Sequence, residues 1–395
     1  MPTSRVTPTP KRTLDTAISN AYSFAVDMVR RDIVYVSVMR YLIRALTVTA
    51  AVVLALRVAE PALVKGQSAQ PLRPCISAKT ECTEWITFGG GPARSMFYRT
   101  FALDQRNDRI TRAFLLVHGA GRDADNYFRT ALAAAFLADA LENTIVISPR
   151  FASSDRGCQD KLAPNEVSWP CNGDSWRSGG AADVSYRDGK LTSYDFMDEI
   201  LKKVAARAVF PNLRAIVVSG HSAGGQFTNR YEMANTLHET IGVPIAYVVA
   251  NPSSYAYLDP TRPAASAAGA NEFRPFGDAR NCTAYDKWPY GLQNRSGGYA
   301  SRLTDDQLKQ QLVSRPTTYL VGEYDTLPLA GFDSSCPAMA QGPNRLARGQ
   351  AFGRYVNEKL GAHHTTTVVP LCRHNARCMF TADPVLKLVF PTPSS

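Results

Sequence analysis

Apolar and polar positions along the chain follow two different periods. Near residue 83, "EWITF" and "SMFYRTFAL" read as two strands joined by the turn "GGGPAR". No Lys-Ser/Thr follows that glycine run and no helix starts from it, so it is a turn rather than a phosphate loop. From Ala113 the pattern changes. "AFLLVHGAG" is a buried strand ending in a glycine loop, "DADNYFRTALAAAFLADALE" has helical spacing, and "TIVISPRF" is a further apolar strand. A long irregular segment, 152–191, precedes the helix "SYDFMDEILKKVAARAV". Then come the strand "AIVVS", a helix after Ser222, the strand "IAYVVANP", a loop-rich stretch and "TTYLVGEYDT". "HTTTVVPL" and a closing helix around "ARCMFTADPVLKLVF" complete the series.

Strands that alternate with helices predict an α/β fold: a mostly parallel central sheet with helices on both faces. The expected catalytic domain is 70–395, with loop or lid insertions at about 152–191 and 259–315. In such sheets ligands bind at the carboxyl ends of the strands. Gly119, Ser222, Asp325 and His374 each fall just past a predicted strand end, so four candidates share one rim.

Composition changes this picture only at the edges. The 395 residues carry a formal charge of +10, but half of that excess lies in residues 1–69, which hold nine Lys/Arg and four Asp/Glu. The rest is mildly basic without a long Lys/Arg run, which argues against a nucleic-acid partner. Arg40 and Arg44 precede the uncharged run "ALTVTAAVVLAL", too short for a comfortable membrane span, and small residues follow in "KGQSAQP". Residues 1–69 therefore read as an export leader with cleavage near Ser68 or Ala69, and translation from Met39 would leave a signal of ordinary size. The rival is an uncleaved anchor, held inside by the seven basic and three acidic groups of residues 1–44. Membrane contact is expected only through that segment. Either way the remainder is exported, to the periplasm or beyond.

All eight cysteines lie after residue 70, which fits disulfides made in an oxidising compartment. Short separations make Cys75–Cys82, Cys158–Cys171 and Cys372–Cys378 the simplest pairs. There is no C-x-x-C, and no His stands at zinc-finger spacing from a Cys, so no metal is expected.

The stretch "AIVVSGHSAGGQF" carries the chemistry. A serine hydroxyl needs a base to become a nucleophile. On a sharp strand-to-helix turn its Oγ stands above the sheet, and Gly220 and Gly224 leave room for the crowded backbone. Ser222 is the candidate nucleophile. A tetrahedral intermediate needs two N–H donors. One is expected from Ala223, the other from Gly119 or Ala120 in the loop "HGAG", with His118 a structural buttress and His221 packed beside the turn. The base should come late in the chain, from His363, His364 or His374. His374, in the loop "CRHNARC", is best placed to swing onto the rim. The acid that orients it comes from "GEYDTLP", where Asp325 has better spacing than Glu323, with Asp333 nearby. This chemistry needs no cofactor.

Together "HGAG", "GHSAGG", "GEYDTLP" and a late His in "CRHNARCMF" resemble the α/β-hydrolase superfamily over residues 83–390, and within it the secreted carboxylesterases and polyester depolymerase-like hydrolases. The resemblance implies a triad of Ser222, Asp325 and His374, an oxyanion hole of Gly119, Ala120 and Ala223, and hydrolysis of a small-molecule or polymeric ester. The same triad also serves amide hydrolysis or acyl transfer, and a binding protein could use the same scaffold. Aromatics of the rim and long loops, Tyr127, Trp169, Trp176, Tyr255, Trp288 and Tyr324, are candidates to line the substrate pocket.

Overall fold

The computed structural model describes residues 72–391 apart from 156, 172–174, 184–190, 265–271 and 330. The leader expected over 1–69, its cleavage site and Met39 lie outside the described residues. Ten strands are β1 (Thr83–Thr87), β2 (Arg94–Arg99), β3 (Arg112–Val117), β4 (Thr144–Pro149), β5 (Ala215–His221), β6 (Ile245–Ala250), β7 (Thr261–Ala264), β8 (Glu272–Pro275), β9 (Thr317–Gly322) and β10 (Thr365–Val369). Eight build one sheet in the order β1-β2-β4-β3-β5-β6-β9-β10. The hairpin β1–β2 is antiparallel and β2 meets β4 antiparallel, while β4, β3, β5, β6, β9 and β10 run parallel. Order reverses between β3 and β5, so the crevice where such sheets receive ligands opens above those two strands.

Period-two alternation sorts the core into two layers. Ala113, Leu115 and Val117 of β3 and Ile216 and Val218 of β5 face one layer; Phe114, Leu116 and Val217 face the other. Helices α2 (Ser193–Val204), α3 (Ala223–Ala234), α4 (Asp305–Ser314) and α6 (Arg345–Glu358) bury apolar residues in the first layer. Helices α1 (Ala124–Leu137), α7 (Ala376–Thr381) and α8 (Asp383–Val389) do so in the second, and α5 (Cys336–Met339) is a single turn. Among the described residues no helix is long and apolar enough to cross a membrane.

Several boundaries differ from the pattern reading. The helix expected through Glu142 stops at Leu137, and Asp139 turns left-handed with φ 51°. The single closing helix is two, because Asp383-Pro384 starts a new one: proline cannot continue the preceding ladder but fits a first turn. The stretch 259–315 is not merely loop. It holds the hairpin β7–β8 and α4, whose Thr304 and Gln307 form a reciprocal capping box. Helix α6 was also unexpected. Its buried stripe carries Arg345 and Arg348 beside Phe352 and Tyr355, and charges on an apolar face hide the period.

All eight cysteines pair: Cys75–Cys82, Cys158–Cys171, Cys372–Cys378 and, across a larger loop, Cys282–Cys336. Four such pairs fit an oxidising compartment.

Candidate active site

Strand β5 ends at His221, α3 begins at Ala223, and Ser222 between them has φ 60° and ψ −117°. A non-glycine residue held there is strained, and surrounding structure must enforce it. The neighbouring glycines explain how the backbone comes so close. A Cβ on Gly220 would lie 2.1 Å from the Gly224 carbonyl oxygen, one on Gly224 would lie 2.2 Å from that of Val117, and one on Gly225 would lie 2.5 Å from that of Ala250. These glycines serve close approach between segments, not a special φ. The turn places Ser222 in the lining of a groove of about 510 Å³, beside Gly119 after β3 and His221 at the end of β5.

His374 follows β10 in the loop closed by Cys372–Cys378, and Asn375 caps α7 behind it. Its Nε2 lies 2.9 Å from Ser222 Oγ, and its Nδ1 lies 2.7 Å from Asp325 Oδ2. Asp325 sits in the turn after β9 with a wholly buried carboxylate. The structure thus brings together Ser222, His374 and Asp325, which lie 152 and 49 residues apart along the chain. The alternatives point elsewhere. Glu323 accepts from the Leu371 N–H, and Asp333 accepts from Tyr290 and Ser335. His363 is exposed, while His364 is bonded to the Tyr319 hydroxyl and pushed down to about 4 by burial.

The glycine loop after β3 is braced from behind. His118 is fully buried, and desolvation pushes it down to about 3, so its ring is neutral. Its Nε2 accepts the Phe151 N–H at 3.0 Å, which leaves the Nδ1 proton to donate to the Gly119 carbonyl at 2.8 Å. In a trans peptide the following N–H points the opposite way, so this bond turns the Ala120 N–H away from His118. Gly119, Ala120, His221 and Ser222 all line the groove. His221, also neutral because burial and the neighbouring His374 and Arg345 push it down, packs under His374 with ring centroids 4.6 Å apart. Its Nδ1 meets the Tyr127 hydroxyl at 3.1 Å.

The aromatic candidates divide. Tyr127 lines the groove. Trp169, Trp176 and Tyr255 do not: all three are core residues with at most 1% exposure. Trp169 and Trp176 pack on Phe151, and Tyr255 stacks on Phe352. Trp288 is packed against the core and donates from Nε1 to the Ser178 carbonyl, and Tyr324 stands exposed outside the groove lining. Large aromatics on long loops gain most by burial, so here they hold the insertions down rather than line a pocket. Sequence reading missed Arg345, whose guanidinium approaches Asp325 to 3.5 Å, and Asn251, which links His221 to the Gly322 N–H. The only trace of Arg345 in the sequence is a cation at helical spacing from Phe352.

A parallel sheet carrying a strand–serine–helix turn at its switch point, with a histidine and a buried carboxylate on the same rim, defines an α/β hydrolase. The chain belongs to the alpha/beta hydrolase family, whose model matches residues 114–388. Among solved structures it is similar to poly(aspartic acid) hydrolase-1 from Sphingomonas sp. KT-1, with 23% identity, TM-score 0.52, and coverage of 78% of this chain and 98% of that one. It is also similar to a poly(3-hydroxybutyrate) depolymerase from Bordetella parapertussis, with 20% identity, TM-score 0.52, and coverage of 76% and 85%. No curated protein gives a significant match.

Proposed function

We propose that this protein is an exported serine hydrolase that cleaves carboxylic esters through an acyl-enzyme intermediate. The observation that carries the reading is the unbroken chain Ser222 Oγ–His374–Asp325, at 2.9 and 2.7 Å, at the edge of an open groove. Ser222 Oγ attacks the ester carbonyl while His374 Nε2 takes its proton. His374 then returns the proton to the leaving alcohol. Asp325, accepting from Nδ1, holds the imidazole with Nε2 toward the serine and stabilises its charged form. Water, activated by the same imidazole, releases the acid and restores Ser222. The N–H groups of Ala223, at the start of α3, and of Ala120, oriented by His118, are the proposed donors to the oxyanion. Loss of one such donor typically costs about 3 kcal/mol in the transition state.

Family membership supports hydrolysis. The groove, open and edged by polar groups such as Asp123, Asn126 and Arg377, suits a small or polymeric ester. The four cysteine pairs and the apolar run 45–56 support export. Purified protein should hydrolyse aryl and alkyl esters, and Ser222→Ala should lose that activity while keeping its fold. Turnover of matched amides faster than esters, or retained activity in Ser222→Ala, contradicts the reading.

A further inference from the structure

Helix α6 opens on a residue that the reaction above leaves unused. Arg345 is wholly buried, which is rare for an arginine unless a partner offsets the loss of water. Burial works against its charge, and Asp325 works to keep it. Its Nε donates to Ser253 Oγ at 2.8 Å, and its guanidinium packs against the Phe332 ring. One terminal nitrogen lies 3.5 Å from Asp325 Oδ1, with both side chains fully buried. Beyond that ion pair, neither terminal nitrogen nor Asp325 Oδ1 has a hydrogen-bond partner among the described residues. The same helix start also holds the acid's backbone, because the Leu346 N–H donates to the Asp325 carbonyl at 3.2 Å.

The two oxygens of Asp325 are therefore divided between two partners. Oδ2 faces His374 and Oδ1 faces Arg345. The other ionisable groups near Arg345 are committed. His221 is neutral and bonded to Tyr127, Arg348 donates to the carbonyls of Ser253 and Asp333, and Asp333 accepts from Tyr290 and Ser335. A carboxylate taken out of water reverts to its neutral form unless a cation or several N–H groups face it. Neutral Asp325 would orient and stabilise an imidazolium poorly.

We propose that Arg345 is a positioning residue for the triad: the buried counter-ion that keeps Asp325 charged, turns Oδ2 toward His374, and sets the pH above which His374 can accept the serine proton. This rests on the functional reading above. The test compares Arg345→Met with Arg345→Lys across pH on an aryl ester. Arg345→Met removes the charge at similar length. It should lower kcat/KM by about 10- to 100-fold and move the acidic limb of the profile up by about one pH unit, because without the cation the coupled Asp325–His374 pair keeps its shared proton to higher pH, whichever of the two holds it. Arg345→Lys should lose less than about tenfold and leave the limb in place, since the point charge remains. An acidic limb that stays put or moves down in Arg345→Met overturns the proposal.

Should Arg345→Met fail to fold, Asp325→Asn/Arg345→Met decides. With neither charge present, no lone ion is buried, so the double variant should fold and melt above the single one. Simple addition of the two losses overturns the pairing. Failure of the unchanged protein to react with an active-serine probe would instead count against the triad reading. The melting comparison would still judge the ion pair.

Discussion

Helix α3 joins two buried polar clusters that differ in kind. At its N-terminal end, Ser222, His374 and Asp325 are linked to one another, backed by the cation of Arg345, and open to the groove. At its C-terminal end, Glu232 is completely buried and accepts from the neutral amide of Asn229. Arg315 stands close, but its guanidinium is directed at Glu239 and at the carbonyls of Glu232 and Asn235. Burial lifts Glu232 to about 8. One helix away, Asp198 accepts from the hydroxyls of Tyr231 and Tyr299, and burial lifts it to about 6. Glu232, displaced further from its ordinary range than Asp198, thus lies at the closed end. Displacement alone marks burial without a compensating cation; chemistry also needs access and a partner that can pass a proton.

The largest effect is expected from Asp325→Asn, which takes the carboxylate out of the open cluster and leaves the Arg345 cation without its partner. Ester turnover should fall about 10⁴-fold while circular dichroism is unchanged. Next comes Gly224→Ala, which drives a methyl into the Val117 carbonyl and cannot be relieved by a rotamer change. It should destabilise the fold by about 3 kcal/mol or more, read from denaturant midpoints, and lower activity with it.

Glu232→Gln tests the closed end. In the unfolded chain this acid ionises near 4.5, and in the folded chain near 8, so between those values the native state holds a proton that the unfolded state has released. Its contribution to stability is full below about pH 4.5 and is lost as pH rises through 8. Melting temperature against pH should therefore slope less steeply in Glu232→Gln, while ester turnover stays within about twofold. The smallest effect is expected from Tyr324→Ala, outside the groove lining: KM for a short ester should stay within about twofold.

The rim was legible in the sequence because backbone crowding leaves few choices. Only glycine fits where a Cβ would stand 2.1–2.5 Å from a carbonyl oxygen, so Gly220, Gly224 and Gly225 mark the turn without any knowledge of what surrounds it. The alternation of apolar strands and amphipathic helices likewise reveals the parallel sheet, and short separations identify three of the four cysteine pairs. Tertiary context decided the rest. Whether Trp169, Trp176 and Tyr255 face a ligand or a core depends on how the insertions fold back, and local pattern does not carry that information. Helix α6 escaped notice because Arg345 and Arg348 occupy its buried face, where the period leads one to expect leucine. Helix α4 could have been found from its capping box, Thr304 and Gln307, at the foot of a short helix with only Leu308 and Leu312 buried.

In the proposed mechanism His374 activates Ser222 at the open end of α3. Its most direct test is fluorophosphonate treatment followed by peptide mass spectrometry, with labelling rates for the unchanged protein, Glu232→Gln and His374→Ala. One adduct is expected, on the peptide that contains Ser222, formed equally fast in Glu232→Gln and at least about 10³-fold slower in His374→Ala. An adduct on another residue, or labelling of Ser222 at full rate without His374, contradicts it.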